Sequence, residues 1–466
     1  MSTGLEFESI ELVSARIRSG EVSPIGLTEA ALDSAEGLGV RLNAVLRVFR
    51  ESALQRADEL AVEAKQGNIR GPLHGILIGL KDLVDVAGEV TTGGSTILKN
   101  SLATRDATVA EKLKAAGAIL IGKLNLNEFA LGVTGMNPHY GNARNPWDPD
   151  RMTGGSSGGS GASTAAGIVY GAIGTDTGGS VRIPAAMCGL AGLKPTYGLV
   201  SRAGVLDLSW SCDHVGPMAR NVGDAAIMLN AIAGHDPRDP ASASRPAADF
   251  TPKPERGLDG VRIGVPQHYF FDELDGEVED AVGAAIALME ANGAIICKIG
   301  MPWVGLGRDI NLGILMPEAL SVHENWLKDR RSEYDPIVSD RLLQAVVISG
   351  ADYLRAQRLR RWFSDKIAEV MRDIDVLVTP TLPEQTPRFD SPPRNIRAGS
   401  LTGVFNATGT PSLSLNCGFT RDGMPIGMMI SGKPFAEATV LQIGHAYEQI
   451  AGWTTRRPAP FELDSA

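Results

Sequence analysis

The stretch Met152–Pro184, MTGGSSGGSGASTAAGIVYGAIGTDTGGSVRIP, constrains this chain more than any other. It sets two glycine/serine clusters on either side of a small-residue, apolar run. Glycine/serine tracts alone behave as flexible linkers. This one runs straight into Ala162–Val169, which reads as a small-residue helix, and then into Ala172–Thr175, which reads as a strand. Linkers seldom sit inside a core. Glycine in such a place lets backbone pass close to backbone, or turns amides toward a ligand. The fold must therefore enclose both clusters.

Elsewhere, helices alternate with short apolar strands. Residues 1–65 read as a helical layer. Ser23-Pro24 starts a helix over Ile25–Ala35, and Gly67 stops another over Ser52–Lys65. Ile76–Leu80, bounded by glycine and proline, reads as a buried strand that ends at Lys81. Thr108–Ala116 is expected as helix, Ala118–Gly122 as strand and Asp224–Ala233 as helix. These belong to a core over 66–235. A Ser/Ala/Pro-rich surface connection covers 236–260. The part from 261 to 460 restarts the alternation with strand Val261–Val265, helix Glu277–Asn292 and strand Ile295–Ile299. Pro302–Gln357 is mostly helical and Asp375–Thr379 is a buried strand. Ser412–Cys417 and Ile426–Ser431 are expected to pair through the turn Arg421-Asp422-Gly423, and Glu437–Ile450 is the last helix. The pattern is that of one α/β domain over 1–466.

Charge and cysteine usage exclude several classes. Lys and Arg number 44 against 54 Asp and Glu, a formal charge of -10. Such a surface repels phosphate backbones, so no nucleic acid is expected as a direct partner. Cys188, Cys212, Cys297 and Cys417 lie far apart, and no C-x-x-C pair suggests a metal. No His pair at i, i+4 with a Glu suggests a zinc protease. The first residues lack an apolar signal core, and no run of 18 uncharged apolar residues suggests a membrane span. A cytoplasmic enzyme without metal or cofactor is expected.

Two familiar motifs fail on inspection. Gly154-Gly155-Ser156-Ser157-Gly158 matches the nucleophile elbow of α/β-hydrolases, but no strand immediately precedes it and the only late histidine is His445. Gly117–Lys123 approaches a phosphate-binding loop, yet Leu124 stands where a Ser or Thr must hold magnesium. What remains is Lys81, at the end of a buried strand, and two serines in glycine-rich turns, Ser156 and Ser180. Burial disfavours an ammonium ion, so a buried lysine becomes available as a neutral base.

The chain resembles the amidase signature enzymes. The resemblance is carried by Gly154–Ser160, by Gly174-Thr175-Asp176-Thr177-Gly178-Gly179-Ser180-Val181-Arg182-Ile183-Pro184, by Gly189–Thr196 and by Gly79-Leu80-Lys81-Asp82. Asn145-Pro146-Trp147-Asp148 and Asp213-His214-Val215-Gly216-Pro217 fit as well. The likeness implies an amidase signature fold, with a large mixed, twisted central β-sheet covered on both faces by α-helices. It also implies a serine triad. Ser180 would be the acyl-forming nucleophile, Ser156 the serine preceded by a cis peptide bond, and Lys81 the base. A serine hydroxyl needs such a base to become nucleophilic. Backbone amides of Thr177, Gly178, Gly179 and Ser180 would form the oxyanion hole, where one donor is worth about 3 kcal/mol. Ser157, Asp176 and Arg182 would support the turn. Asp82, beside Lys81, could instead keep the lysine charged.

For the substrate, the resemblance implies an amide, an aryl amide or a carbamate (urethane). Expected wall residues are Gly132, Val133, Thr134 and Gly135. The variable stretch of about 301–347, with Trp303, Met316, Trp326 and Leu327, favours an apolar or aryl group if it lines the pocket. The glutaminase subunits that amidate misacylated transfer RNA tend to carry P-F-D-E near the C-terminus. Here Pro434-Phe435-Ala436-Glu437 departs from that pattern, and His214 looks more like stand-alone amidases. The expectation is therefore a stand-alone amidase or carbamate hydrolase rather than the A subunit of glutamyl-tRNA amidotransferase. Such a glutaminase and a catalytically silent binding protein remain as alternatives. The resemblance also implies a homodimer as a common assembly among such enzymes.

Overall fold

A computed structural model describes residues 4–246, 248–391 and 397–459. Its strands are β1 (Val45–Val48), β2 (Leu77–Lys81), β3 (Ile119–Leu124), β4 (Gly171–Asp176), β5 (Ala191–Lys194), β6 (His214–Ala219), β7 (Arg262–Pro266), β8 (Ile295–Ile299), β9 (Val376–Pro380), β10 (Ser412–Phe419) and β11 (Pro425–Gly432). All belong to one sheet in the order β1-β3-β2-β4-β6-β5-β10-β11-β9-β7-β8. Pairing is parallel in β3-β2-β4 and β9-β7-β8 and antiparallel elsewhere, so the sheet is mixed. This is the amidase signature fold expected above.

Side chains on a strand alternate between faces, and here both faces are dry. On β9, Val376 and Val378 join the main apolar cluster while Leu377 joins a second one. On β11, Met428 and Ile430 join the main cluster and Met429 the second. Helices Val222–Ile232, Gly276–Ala291 and Glu437–Ala451 contribute to the main cluster. Helices Leu306–Arg330, Gly350–Val370 and Gly403–Thr408 contribute to the second. Burial on two sides explains why the inner strands read as continuous apolar runs.

The first glycine/serine cluster is not a linker. Residues 152–165 are all buried. A helix runs over Gly158–Ala165, four residues earlier at its start than the expected Ala162. Gly159 explains the choice: a Cβ there would lie 2.3 Å from the Asn125 amide nitrogen and 2.4 Å from the Ala44 carbonyl oxygen. Contact between backbones overrides the poor helix propensity of glycine. The connection after residue 236 is pinned at its start. Ser201 Oγ donates to Asp236 at 2.6 Å and the Arg202 amide to Asp239 at 2.8 Å. Three strands were not anticipated: β1, β5 and β6.

Candidate active site

Strands β2 and β4 are parallel neighbours, with Leu80 opposite Ile173. Their carboxyl ends therefore open on the same side, the usual place for a site in an open α/β sheet. Lys81 is the last residue of β2. Thr175 and Asp176 end β4 and lead into the turn Thr177–Val181, after which helix Arg182–Cys188 begins. The glycine/serine cluster crosses beside them, with a cis peptide bond between Gly155 and Ser156.

Lys81 has no exposed surface. Its Nζ donates to Ser156 Oγ at 2.7 Å and to Thr175 Oγ1 at 2.8 Å. Burial drives its pKa down to about 7, although the charges of Asp176 and Asp213 pull the other way. Asp82, the adjacent residue, is turned elsewhere. It accepts from the Thr92 amide at 3.2 Å and lies 3.5 Å from Lys123 Nζ. Lys123, from the near-match to a phosphate loop, is thus a buried structural cation in β3.

Ser180 is 6% exposed. It borders a cavity of about 160 Å³ together with Thr177, Gly178, Gly132 and Val133. No hydrogen bond links its hydroxyl to Ser156 among the described residues; its carbonyl accepts from the Ser157 amide at 3.3 Å. Of the four expected oxyanion donors, the Gly179 amide is committed to Asp176 Oδ1 at 2.9 Å. Those of Thr177, Gly178 and Ser180 have no acceptor among the described residues. Thr134 and Gly135 stand behind the cavity wall. The Gly135 amide donates to Asn127 Oδ1 at 3.0 Å, and Asn127 Nδ2 donates to Thr134 Oγ1 at 3.2 Å.

Asp176 and Arg182 form a fully buried, two-pronged pair at 2.9 and 3.0 Å. Burial pushes the carboxyl up, but the guanidinium outweighs it and holds Asp176 well below the usual range. Asp176 also takes the amides of Gly179 and Val181, and Asn406 Nδ2 donates to it at 2.8 Å. The pair therefore fixes the turn that carries Ser180. Ser157 donates from Oγ to the Thr175 carbonyl at 3.3 Å.

Several residues at the site were not anticipated. Thr175 is Lys81's second acceptor. Asn311 donates to the Thr177 carbonyl at 3.2 Å. Arg308, Arg341 and Arg397 all border the Ser180 cavity, along with Leu312, Leu315 and Met316. Arg397 lies 3.6 Å from Glu273, while the guanidinium groups of Arg308 and Arg341 have no acid partner among the described residues. The stretch 301–347 thus supplies the cavity with both apolar and cationic groups. Of the residues singled out there, only Met316 lines it. Trp326 stacks on Phe129, Trp303 packs against Phe363, and Leu327 belongs to the apolar cluster that also holds Leu315 without itself bordering the cavity. Nothing in helical spacing marks an arginine that faces a cavity.

No group of three or more His, Cys, Asp or Glu side chains among the described residues is placed to hold a metal. No described helix is long and apolar enough to cross a membrane.

The family model described as Amidase matches residues 26–441. The A subunit of glutamyl-tRNA(Gln) amidotransferase from Chloroflexus aggregans is 37% identical, over 98% of this chain and 99% of that protein. A solved structure described as a vestigial protein complex revealing the origins of an s-triazine catabolic enzyme is 35% identical. It superposes with a TM-score of 0.90, over 95% of this chain and 98% of that one. A peptide amidase bound to chymostatin is 31% identical with a TM-score of 0.88, over 98% of this chain and all (100%) of that one. The likeness to the amidotransferase A subunit corrects the expectation of a stand-alone type rather than the amidotransferase type. That expectation leaned on Ala436 and His214. Ala436 precedes helix Glu437–Ala451 and does not border the Ser180 cavity, and His214 is buried in β6. Two side chains do not outweigh a likeness running the length of the chain.

Proposed function

The chain belongs to the amidase family, and on that premise we propose that it hydrolyses the amide of a small carboxylate-bearing substrate, glutamine first among them, as the glutaminase component of an amidotransferase-type complex. The observation that carries the reading is the cationic wall of the Ser180 cavity. Arg308 and Arg341 bring two guanidiniums without acid partners among the described residues to a space of about 160 Å³, and Arg397 adds a third. Guanidinium binds carboxylate in a fixed two-pronged geometry. An uncharged aryl amide or carbamate would leave those charges unanswered. The full-length likeness to the amidotransferase A subunits supports the same reading.

The chemistry uses Lys81, Ser156 and Ser180 in series. With a pKa near 7, a large share of Lys81 is neutral at physiological pH. The amine takes the Ser156 proton as Ser156 takes that of Ser180. Ser180 Oγ then bonds to the amide carbon, and charge grows on the carbonyl oxygen. The uncommitted amides of Thr177, Gly178 and Ser180 meet that charge, an electrostatic contribution of several kcal/mol in a dry site. The relay returns the proton to nitrogen, the carbon–nitrogen bond breaks, and ammonia leaves. Water, deprotonated along the same path, attacks the acyl-enzyme and frees the acid.

Release of ammonia from L-glutamine and primary aliphatic amides, and of the amine from aryl amides and a carbamate, tests this, with the chain alone and with the proteins that co-purify with it. Glutamine or another carboxylated amide should lead. Replacing Arg341 by Met should raise its KM about tenfold with kcat nearly unchanged, since a ground-state charge contact is lost. Faster turnover of neutral aryl amides, or an unaltered KM in Arg341→Met, overturns the proposal.

A further inference from the structure

Two buried carboxylates that the chemistry above does not use hold one loop from opposite sides. Asp213 meets the start of the Ser180 turn at Thr177. Its Oδ1 accepts from Thr177 Oγ1 at 2.6 Å, and its Oδ2 accepts from the amides of Leu208 and Ser209 at 2.8 and 2.9 Å. Glu318 approaches from helix Leu306–Arg330. It is 1% exposed and has no basic partner among the described residues. Neutral donors surround it: Ser209 Oγ at 2.6 Å, the Ser211 amide at 3.1 Å, Ser211 Oγ at 2.7 Å and the Tyr353 hydroxyl at 2.8 Å. Arg360 Nη2 holds the Ser211 carbonyl from outside at 2.8 Å. Burial of a carboxyl group is tolerated only where such donors satisfy it.

The loop they hold meets the cavity twice. Leu208 lies in its wall, and Thr177, tied to Asp213, opens the turn whose amides face the reacting carbonyl. We propose that Glu318 is a positioning residue for catalysis: through Ser209 and Asp213 it sets the place of Thr177, and with it the oxyanion-binding amides of the Ser180 turn. An amide displaced by a fraction of an ångström loses much of its hold on a transition-state charge, but little on a ground-state carbonyl. The effect therefore falls on the chemical step rather than on binding. The inference rests on Ser180 being the nucleophile.

Labelling of Ser180 by a fluorophosphonate probe reads this without a known substrate. Glu318→Gln should lower the maximal labelling rate about tenfold and leave the concentration for half-maximal rate within about twofold, as expected for a transition-state contact. Thr177→Val should do the same, while Thr177→Ser, which keeps the hydroxyl, should restore most of the rate. Because both act along one chain, adding Glu318→Gln to Thr177→Val should cost no more than about twofold further. Ser209→Ala replaces Glu318→Gln in this comparison if the latter fails to fold. Losses that multiply, or a weakened half-maximal concentration with an unchanged maximal rate, overturn the relay alone. A wild-type protein unlabelled at Ser180 overturns the proposed chemistry, and the relay with it.

Discussion

Replacing Lys81 by Met should abolish turnover and yet make the protein more stable. The amine has no exposed surface, and burial lowers its pKa from the ordinary 10.5 to about 7. At pH 7 the unfolded chain carries the proton, so folding must shed it or bury the charge. Either way the cost is about 5 kcal/mol at 1.36 kcal/mol for each pKa unit. The hydrogen bonds to Ser156 and Thr175 return ~1 kcal/mol each. Methionine has a similar length and no charge, so Lys81→Met should gain roughly 2–3 kcal/mol at pH 7. For a chain of this length that is about 2–3 °C in Tm. The sign with pH follows from proton counting. Between pH 7 and 10.5 the unfolded state binds the extra proton, so wild-type stability from this group rises by about 1.4 kcal/mol per pH unit, and the penalty is present in full below pH 7. The variant lacks that term, and its advantage should vanish near pH 9. Scanning calorimetry of both proteins at one scan rate, at pH 7, 8 and 9, isolates the difference, because the other titrating groups are common to both. A variant less stable at pH 7, with a difference that does not change with pH, would refute the reasoning.

Two further outcomes follow from the same geometry. Since only neutral Lys81 can accept a proton, kcat/KM should fall about tenfold per pH unit below 7 and level off above it; a flat profile from pH 5 to 8 would remove lysine from the relay. Asp176→Asn leaves the Arg182 guanidinium buried without its counter-charge, which should cost about 3–5 kcal/mol and lower Tm by several degrees; a Tm within about 1 °C of wild type would mean that the pair is not what holds the turn.

How far the fold could be read in advance depended on burial pattern. The strands ending at Lys81 and Asp176 are continuous apolar runs bounded by turns, and the pairing of β10 with β11 followed from two such runs around Asp422-Gly423. Strand β6 was hidden because Pro217 sits inside it, opposite Ile173, and proline argues against an inner strand. Strand β5, Ala191–Lys194, is too short to show alternation, and Gly192 interrupts it. At the proposed site, Lys81, Ser156 and Ser180 were singled out because each lies in a long local motif. Arg308, Arg341, Thr175 and Glu318 were not, because their roles depend on which helix or strand faces which, and no local spacing encodes that. The pocket was hard to read for the same reason: much of the apolar character of 301–347 reports packing between helices, while the cavity takes two of that stretch's arginines.

The residues proposed to break the bond all lie between positions 81 and 180, whereas much of the charge lining the cavity comes from residues 308–397, in the distal part of the chain. On the proposed reading, the reacting groups and the cationic part of the recognition wall are thus encoded in separate stretches of the gene. Glu318 aside, change in the later stretch can redirect what is cut while the proposed base and nucleophile stay untouched, so lineages built on this scaffold can diversify their diets without reinventing their teeth.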